Sequence, residues 1–477
     1  MIDNKIINYL IIFLFIGMWG SIGSDPNNFL LIFQNGKLYN LNIFNFEIQP
    51  LINFSRAIFP LFCLVCTAAI LIKYKLFYNQ QKFIYILLII QVIQIFTTLI
   101  SNNSIIAAEE NLINHLGRYH WLISSISLAL ILMIAKKVKN FDIQILFKIS
   151  IFILSIIILW FSTKNIYDWF NLGYMSSIYH LNVWRDGASF LGHDMPRLTG
   201  LSRSILIIYI VILFTLNNSN KFFKYPLLMI LGSLVILFQS KYAIITFLII
   251  HLFYLLSLKN KIKNLIIISL LICSQFIIFY STSNLRILFS KENISTKKEN
   301  ILTKNENILT KNENTEKNNE NIEHFRFYRK YNEDGDFKIE TNIFSGRIDI
   351  WRNSLEYIKK RPFLGYGSMS DRMLLNKKEN INTAKKDYIT HPASNSFIYS
   401  AFSGGIFCTV FLIYFLFNIR KKILNIFFLN KTNKTEEKIG TIIIFVILLR
   451  SLIENSYMLY GIDYILLLNS LYLINKK

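Results

Sequence analysis

The sequence predicts an all-α integral membrane protein, and three observations carry that prediction. The 477-residue chain is 53% hydrophobic and 15% aromatic. Its apolar residues gather in long, almost uncharged runs, such as 83–100 and 149–161, instead of alternating with polar ones as on a soluble helix. Only 18 Gly and 7 Pro are spread over the chain, so little interrupts these runs. A run of about 18 or more apolar residues is long enough to cross a bilayer. In lipid, a helix satisfies its backbone hydrogen bonds within the one segment, so each run is expected to be helical.

About twelve segments meet that length rule. They are 6–23, 55–72, 83–100, 119–135, 143–162, 204–217, 225–240, 242–257, 264–283, 396–418, 439–457 and 460–474. The first lacks a small-residue cleavage site and reads as an uncleaved helix. Cys63, Cys66, Cys273 and Cys408 all lie in apolar runs, where small packing residues are expected, so the CxxC at Cys63 and Cys66 reads as neither redox nor zinc chemistry.

The formal charge of +22 would point to nucleic acid in a soluble chain, but its distribution points to topology. With a cytoplasmic N-terminus, the inner loops hold Lys73, Lys75 and Lys82, then Lys136, Lys137 and Lys139, then Lys221 and Lys224, then Lys259, Lys261 and Lys263. Arg420, Lys421, Lys422, Lys431, Lys434, Lys438 and the C-terminal Lys476 and Lys477 fall on the same side. The short outer loops hold far fewer, Lys37 and Arg56 in the first and Arg118 in the second, the last near Glu109 and Glu110. Cytoplasmic loops carry the excess of Lys and Arg, so both termini are expected inside and no nucleic-acid partner is implied.

This orientation places two longer loops outside, 163–203 and 284–395. The expected organisation is therefore nine helices in 1–283, a large outer loop in 284–395 between spans nine and ten, and three helices in 396–477. Within the loop, 292–323 repeats a seven-residue unit, ENISTKK, ENILTKN, ENILTKN, ENTEKNN. A coiled coil needs apolar residues three and four apart. Here Ile and Leu are adjacent, the last copy loses both, and Asn is a poor helix former, so the repeat reads as a low-complexity insertion without catalytic residues. Order is expected to return over 345–367, an amphipathic helix and turn. Ile348, Trp351, Leu355 and Ile358 recur at helical spacing, Ser345 is placed to cap and Pro362 to stop it. Such a helix suits the outer interface with Trp351 as anchor, packed on the bundle.

Five ionisable residues are unusual for an inert bundle. Arg197 and Arg203 lie in PRLTGLSRS before span six, Lys241 lies between spans seven and eight, Arg347 opens the interfacial helix, and His391 stands at the mouth of span ten. A single cation near a helix end snorkels to the headgroups. A set of cations on one outer face suits an anionic group such as a diphosphate. His391 offers a neutral imidazole able to take a proton from a hydroxyl near pH 7, with Asn395 or Ser394 close enough to orient it or cap the helix. His115, His120, His180, His193, His251 and His324 show no ligand spacing, so neither a metal nor a cofactor is expected. Near the C-terminus, RSLIENSYMLYGIDYILLL holds Arg450, Glu454 and Asp463 inside or beside spans, where ionisable groups are costly and usually paired or functional. The four-residue separation of Arg450 and Glu454 predicts a bracing pair on one helix face, with a substrate role second.

Taken in order, these motifs resemble the O-antigen ligase superfamily, which includes O-antigen polymerases and related surface-glycan polymerases. RLTGLSRS precedes a span, Ser240-Lys241 opens another, GRxxxW and RPFLGYG occupy the large loop, and His391 and Asn395 with Gly404-Gly405 open the next span. The ending RSLIE…D is also similar, so the resemblance runs from Arg197 to the C-terminus. It implies a metal-independent, inverting glycosyltransferase in a bacterial inner membrane, active at the periplasmic face among membrane lipids. The donor would be an undecaprenyl-diphosphate-linked glycan and the acceptor lipid A-core for a ligase, or a second carrier-linked unit for a polymerase. His391 would activate the acceptor hydroxyl, Arg347 and Lys241 would hold the diphosphate, and Arg203 and Arg197 would assist. The family commonly has arginine where this chain has Lys241, and asparagine directly after the histidine where it has Pro392. A flippase or transporter would instead show related halves and charges along a central path. No half-to-half repeat is visible in the sequence.

Overall fold

A computed structural model describes residues 5–22, 48–74, 82–101, 112–139, 141–172, 198–215, 221–238, 240–256, 262, 265–282, 347–371, 374–375, 395–427, 435–453, 458 and 460–474. The heptapeptide repeat, Arg197, His391 and Glu454 lie outside these residues. The described residues are helical and contain no strand. In chain order the helices are α1 (Lys5–Gly20), α2 (Ile48–Lys73), α3 (Lys82–Ser101), α4 (Leu112–Lys137) and α5 (Gln144–Leu172). They continue as α6 (Leu198–Thr215), α7 (Lys221–Leu237), α8 (Lys241–Leu256) and α9 (Leu265–Thr282). The last four are α10 (Arg347–Lys360), α11 (Ser396–Phe427), α12 (Thr435–Ser451) and α13 (Ile462–Leu473).

Each of the twelve apolar segments read from the sequence contains a helix, and α10 supplies the amphipathic one. Among the described residues, six are long and apolar enough to cross a membrane: those within α2, α3, α4, α5, α9 and α11. Helices α1, α6, α7, α8 and α13 are apolar but shorter. Aromatic and aliphatic side chains such as Phe152, Leu159, Trp160 and Leu270 point outward, as lipid-facing residues do.

The chain forms two compact units. The first comprises residues 1–153, 188–193 and 344–477. Its centre is α13, buried from Ile462 to Leu473 along every face. A helix that is apolar all round must sit inside a bundle, and α13 packs against α12, α4 and α3. Two of its polar groups find partners on other helices: Tyr464 Oη accepts from Gln91 Nε2 at 2.5 Å, and Asn469 Nδ2 donates to Ser150 Oγ at 3.1 Å. Around this centre α2 packs on α4 and α3 on α11. Pro60 interrupts α2, and a proline inside a helix weakens the bonding of the preceding turn. The Ala57 carbonyl in that turn bonds His120 Nε2 of α4 at 3.0 Å.

The second unit comprises residues 154–187 and 194–343, and contains α6 to α9. A polar network joins these helices. His251 Nδ1 lies 2.8 Å from the Phe247 carbonyl, which can only accept, so Nδ1 carries the proton and Nε2 accepts from Tyr209 Oη at 2.7 Å. Gln275 Nε2 donates to the Leu228 carbonyl at 3.0 Å and approaches Tyr209 Oη at 3.4 Å. Gly232 makes room, since a Cβ there would lie 2.3 Å from the Gln275 amide.

Two arginines depart from the sequence-based picture. Arg56 and Arg118, assigned to outer loops, lie within α2 and α4 and are buried. Both helices begin earlier than the apolar runs suggest. Backbone carbonyls satisfy the guanidinium groups: Arg56 donates to Gly20 O at 2.7 Å and Ile22 O at 2.8 Å.

Candidate functional site

The site develops from the segment Arg347–Asp371 and the helix that receives it. Helix α10 turns Ser354, Tyr357 and Ile358 inward, toward a cluster of Tyr366, Leu374 and Phe402. Arg352, Lys359 and Lys360 stay exposed on its other side. Pro362 follows the helix, and the chain then turns through Gly365 (φ 65°) and Gly367 (φ 87°). These positive φ values are open to glycine at little cost.

The turn docks on a broken helix. Within α11, Gly405 has φ 62° and ψ −154°, a conformation essentially restricted to glycine. The break frees backbone groups on both sides, and the turn takes them up. Tyr366 N–H donates to Phe402 O at 2.8 Å, Gly367 N–H to Ser403 O at 2.8 Å, and Ile406 N–H to Pro362 O at 2.8 Å. The backbones come so close that a Cβ on Gly405 would lie 2.1 Å from Phe363 O, and one on Gly365 2.6 Å from Phe402 O. Gly405 lies within Ser396–Leu424, a segment long and apolar enough to cross a membrane. Non-helical backbone at membrane depth is tolerated only where protein satisfies it.

Helices α3 and α4 close over the other side of the turn. Thr98 Oγ1 accepts from Ser368 N–H at 2.9 Å, Thr97 Oγ1 donates to Ser403 O at 3.0 Å, and Gln94 Nε2 to Ser403 Oγ at 2.8 Å. Arg118, 1% exposed, donates to Ser368 O at 2.7 Å and Tyr366 O at 2.8 Å. Burial pushes the Tyr366 phenol above its usual range. Tyr357 adds to this, and the Arg361 guanidinium, 5.3 Å from the ring centre, opposes it. Tyr366 thus stays protonated and donates to Tyr357 O at 3.1 Å.

At the mouth of α11, Asn395 is the cap. Its Oδ1 accepts from Phe397 N–H at 2.8 Å and Ile398 N–H at 3.2 Å, and its Nδ2 donates to Leu452 O at 2.7 Å. Asn395 therefore both starts α11 and ties it to the turn after α12. One turn on, Tyr399 Oη accepts from Met369 N–H at 3.1 Å, fastening the same mouth to the loop. Two residues before Leu452, Arg450 forms a buried ion pair with Asp463 at the start of α13.

The structure sorts the sequence-predicted site residues as follows. Arg347 is half-buried at the first position of α10, and Trp351 is half-buried one turn on. Arg203 is buried in α6, and Lys241 opens α8. Arg203 and Lys241 belong to the second unit; Arg347, Asn395, Arg450 and Asp463 belong to the first. Arg450 and Asp463 meet beside the turn that Asn395 holds. Glu454 lies outside the described residues, so of the expected bracing pair only Arg450 is described, and it pairs with Asp463. Sequence reasoning missed Arg118, Thr98, Gln94 and Tyr399. Their one visible signal was polarity at the ends of apolar runs. Among the described residues no three of His, Cys, Asp and Glu gather to hold a metal ion.

Fold and site together define a helical membrane protein with a glycine-broken helix and a loop set into the break. Residues 226–413 match the family model described as O-antigen ligase, in line with the resemblance read from the motifs. The matched region runs from α7 to α11 and includes Lys241, Arg347, His391, Asn395, the GYG turn and Gly404-Gly405. Arg197, Arg203, Arg450 and Asp463 lie outside it. No curated protein matches the chain. The match supports a membrane glycan enzyme of the ligase or polymerase kind.

Proposed function

We propose that the protein is a metal-independent, inverting O-antigen ligase that moves a glycan from an undecaprenyl-diphosphate carrier to lipid A-core. The reaction takes place at the periplasmic face of the bacterial inner membrane, with both termini in the cytoplasm. One observation carries this reading: the region that matches the O-antigen ligase model contains a rigid α11 mouth, and His391 lies four residues before its cap, Asn395.

His391 accepts the proton of the acceptor hydroxyl, whose oxygen attacks the anomeric carbon from the face opposite the diphosphate. The carbon–oxygen bond to the carrier breaks, its electron pair passes to the diphosphate, and the anomeric configuration inverts. The growing negative charge needs cations in place before the reaction, and Arg347 and Lys241 take that role with Arg203 and Arg197 in support. The α11 amides are poorly suited to it, because Asn395 already accepts from those of Phe397 and Ile398.

The test is transfer by the purified protein from a synthetic undecaprenyl-diphosphate glycan, with chelator present. Lipid A-core and a second carrier-linked unit are offered as acceptors, and His391→Ala is run alongside. Product on lipid A-core, lost in the variant, is the expected result. Product only on the second carrier makes the protein a polymerase. Carrier binding without transfer to either acceptor refutes the enzyme and favours a transporter.

A further inference from the structure

We infer that Arg118 is a positioning residue for this reaction, acting through the loop Tyr366–Met369, an inference that rests on the function proposed above. The loop is held from two sides by opposite kinds of group. Its amides face α11, where Tyr366 N–H and Gly367 N–H bond the carbonyls exposed by the helix break. Its carbonyls at residues 366 and 368 face α4, where one guanidinium takes both. Arginine's donors are fixed in a plane, so a single side chain spans two carbonyls that flank one residue. That residue is Gly367, and a Cβ there would lie 2.6 Å from Arg118 Nη2 and 2.6 Å from Thr98 Cα. The fork therefore fits a loop with no side chain at this point. Thr98 adds the bond to Ser368 N–H, and Arg118 is itself steadied by Ser101 Oγ at 3.3 Å.

The loop has consequences at both ends. Upstream it continues directly from α10, whose first residue is Arg347. Downstream Met369 N–H bonds Tyr399 Oη, and Tyr399 N–H bonds Asn395 O in the first turn of α11. Arg118 thus fixes the register of α10 against the α11 mouth, and so the placement of Arg347 relative to the chain that leads to His391. Arg118's bonds to the loop go to its backbone carbonyls, so it acts on the reaction through the loop. Its loss changes the alignment of reacting groups more than substrate binding.

The experiment compares Arg118→Gln, Arg118→Lys and Thr98→Val with wild type in the full-length protein. Turnover kinetics on the carrier-linked donor are paired with amide hydrogen exchange over residues 363–371. Misplacement by about 1 Å can cost on the order of 100-fold in rate. The expected result for Arg118→Gln is a kcat lower by about 10–100-fold, KM within about twofold, and exchange at Tyr366, Gly367 and Ser368 faster by at least about tenfold. Arg118→Lys keeps the charge but not the planar fork and falls in between. Thr98→Val speeds exchange at Ser368 with a smaller loss of kcat. Arg56→Gln removes another buried arginine that holds backbone carbonyls, and is expected to lower thermal stability without loosening 363–371. Unchanged exchange in Arg118→Gln overturns the inference, as does faster exchange with unchanged kcat. Faster exchange across all helices, with Arg118→Lys no better than Arg118→Gln, reduces Arg118 to general stability and also overturns it. Absence of turnover by the wild type on any carrier-linked donor refutes the proposed function and this inference together, whereas wild-type turnover with an indifferent variant refutes this inference alone.

Discussion

Both compact units contain buried side-chain pairs, but among the described residues the first adds a further use of buried polarity. In the second, regular helices are tied by side chains that meet one another: Tyr209, His251 and Gln275 bridge α6, α8 and α9, and their bonds to backbone run to intact helices. In the first, side chains and loop backbone also serve an irregular backbone: Arg118 and Thr98 grip a turn that fills a broken helix, and Thr97 bonds the Ser403 carbonyl of that helix. The physical stakes differ. A side-chain pair between intact helices can be replaced by apolar packing, leaving the helices' own hydrogen bonds in place. An opened backbone in an apolar environment has no such substitute, since each unsatisfied peptide group costs on the order of several kcal/mol there. Irregularity of that kind is retained where it shapes a site, and here it lies within the region that matches the O-antigen ligase model.

The sharpest test of this contrast breaks the ion pair beside the α11 mouth. Arg450→Met leaves Asp463 buried without its cation, and removing one partner of a buried pair costs about 3–5 kcal/mol. Thermal unfolding in detergent should show the fall, and Arg450→Met with Asp463→Leu should recover most of it. Next comes the break itself. Gly405→Ala combines a forbidden backbone conformation with a clash against Phe363 O, for about 2–5 kcal/mol and loss of transfer activity. Gly461→Ala is the control: its φ of 172° is extended and an added Cβ meets nothing within 4 Å, so a change within about 0.5 kcal/mol is expected. An equal effect of the two substitutions would show that the break is not fixed by glycine.

In the second unit the effect should be smaller. Interhelical hydrogen bonds in membranes are worth about 0.6 kcal/mol on average and about 1.7 at most, so Gln275→Leu should shift stability by that order. A loss as large as that of Arg450→Met would erase the distinction between the units. The smallest effect is expected from deleting residues 292–323. The repeat has neither a helical pattern nor a catalytic residue in its sequence, so transfer activity should persist. Abolition of activity in a deletion variant that still inserts would show that the repeat contributes to the site.

The helices were legible because apolar run length reports directly on what lipid tolerates. The amphipathic helix was legible because Trp351, Leu355 and Ile358 repeat at helical spacing. The site was legible only in pieces. RPFLGYG and Gly404-Gly405 stood out as motifs, yet nothing in the chain says that one lies in the other, since residues about 40 positions apart meet through backbone bonds that carry no side-chain signature. Arg450 was recognised as needing a partner, and helical spacing pointed to Glu454, whereas its pairing with Asp463 at the start of α13 has no local pattern in the sequence.

The amino-acid sequence by itself thus determined which segments are helical and apolar, because hydrophobic length and helical period are local properties. Tertiary structure alone decided that Gly405 breaks α11, that the GYG turn fills the break, and that Arg118 closes over it. Those choices depend on where distant backbone groups find donors and acceptors, and a backbone group looks the same in the sequence whether it is satisfied or not.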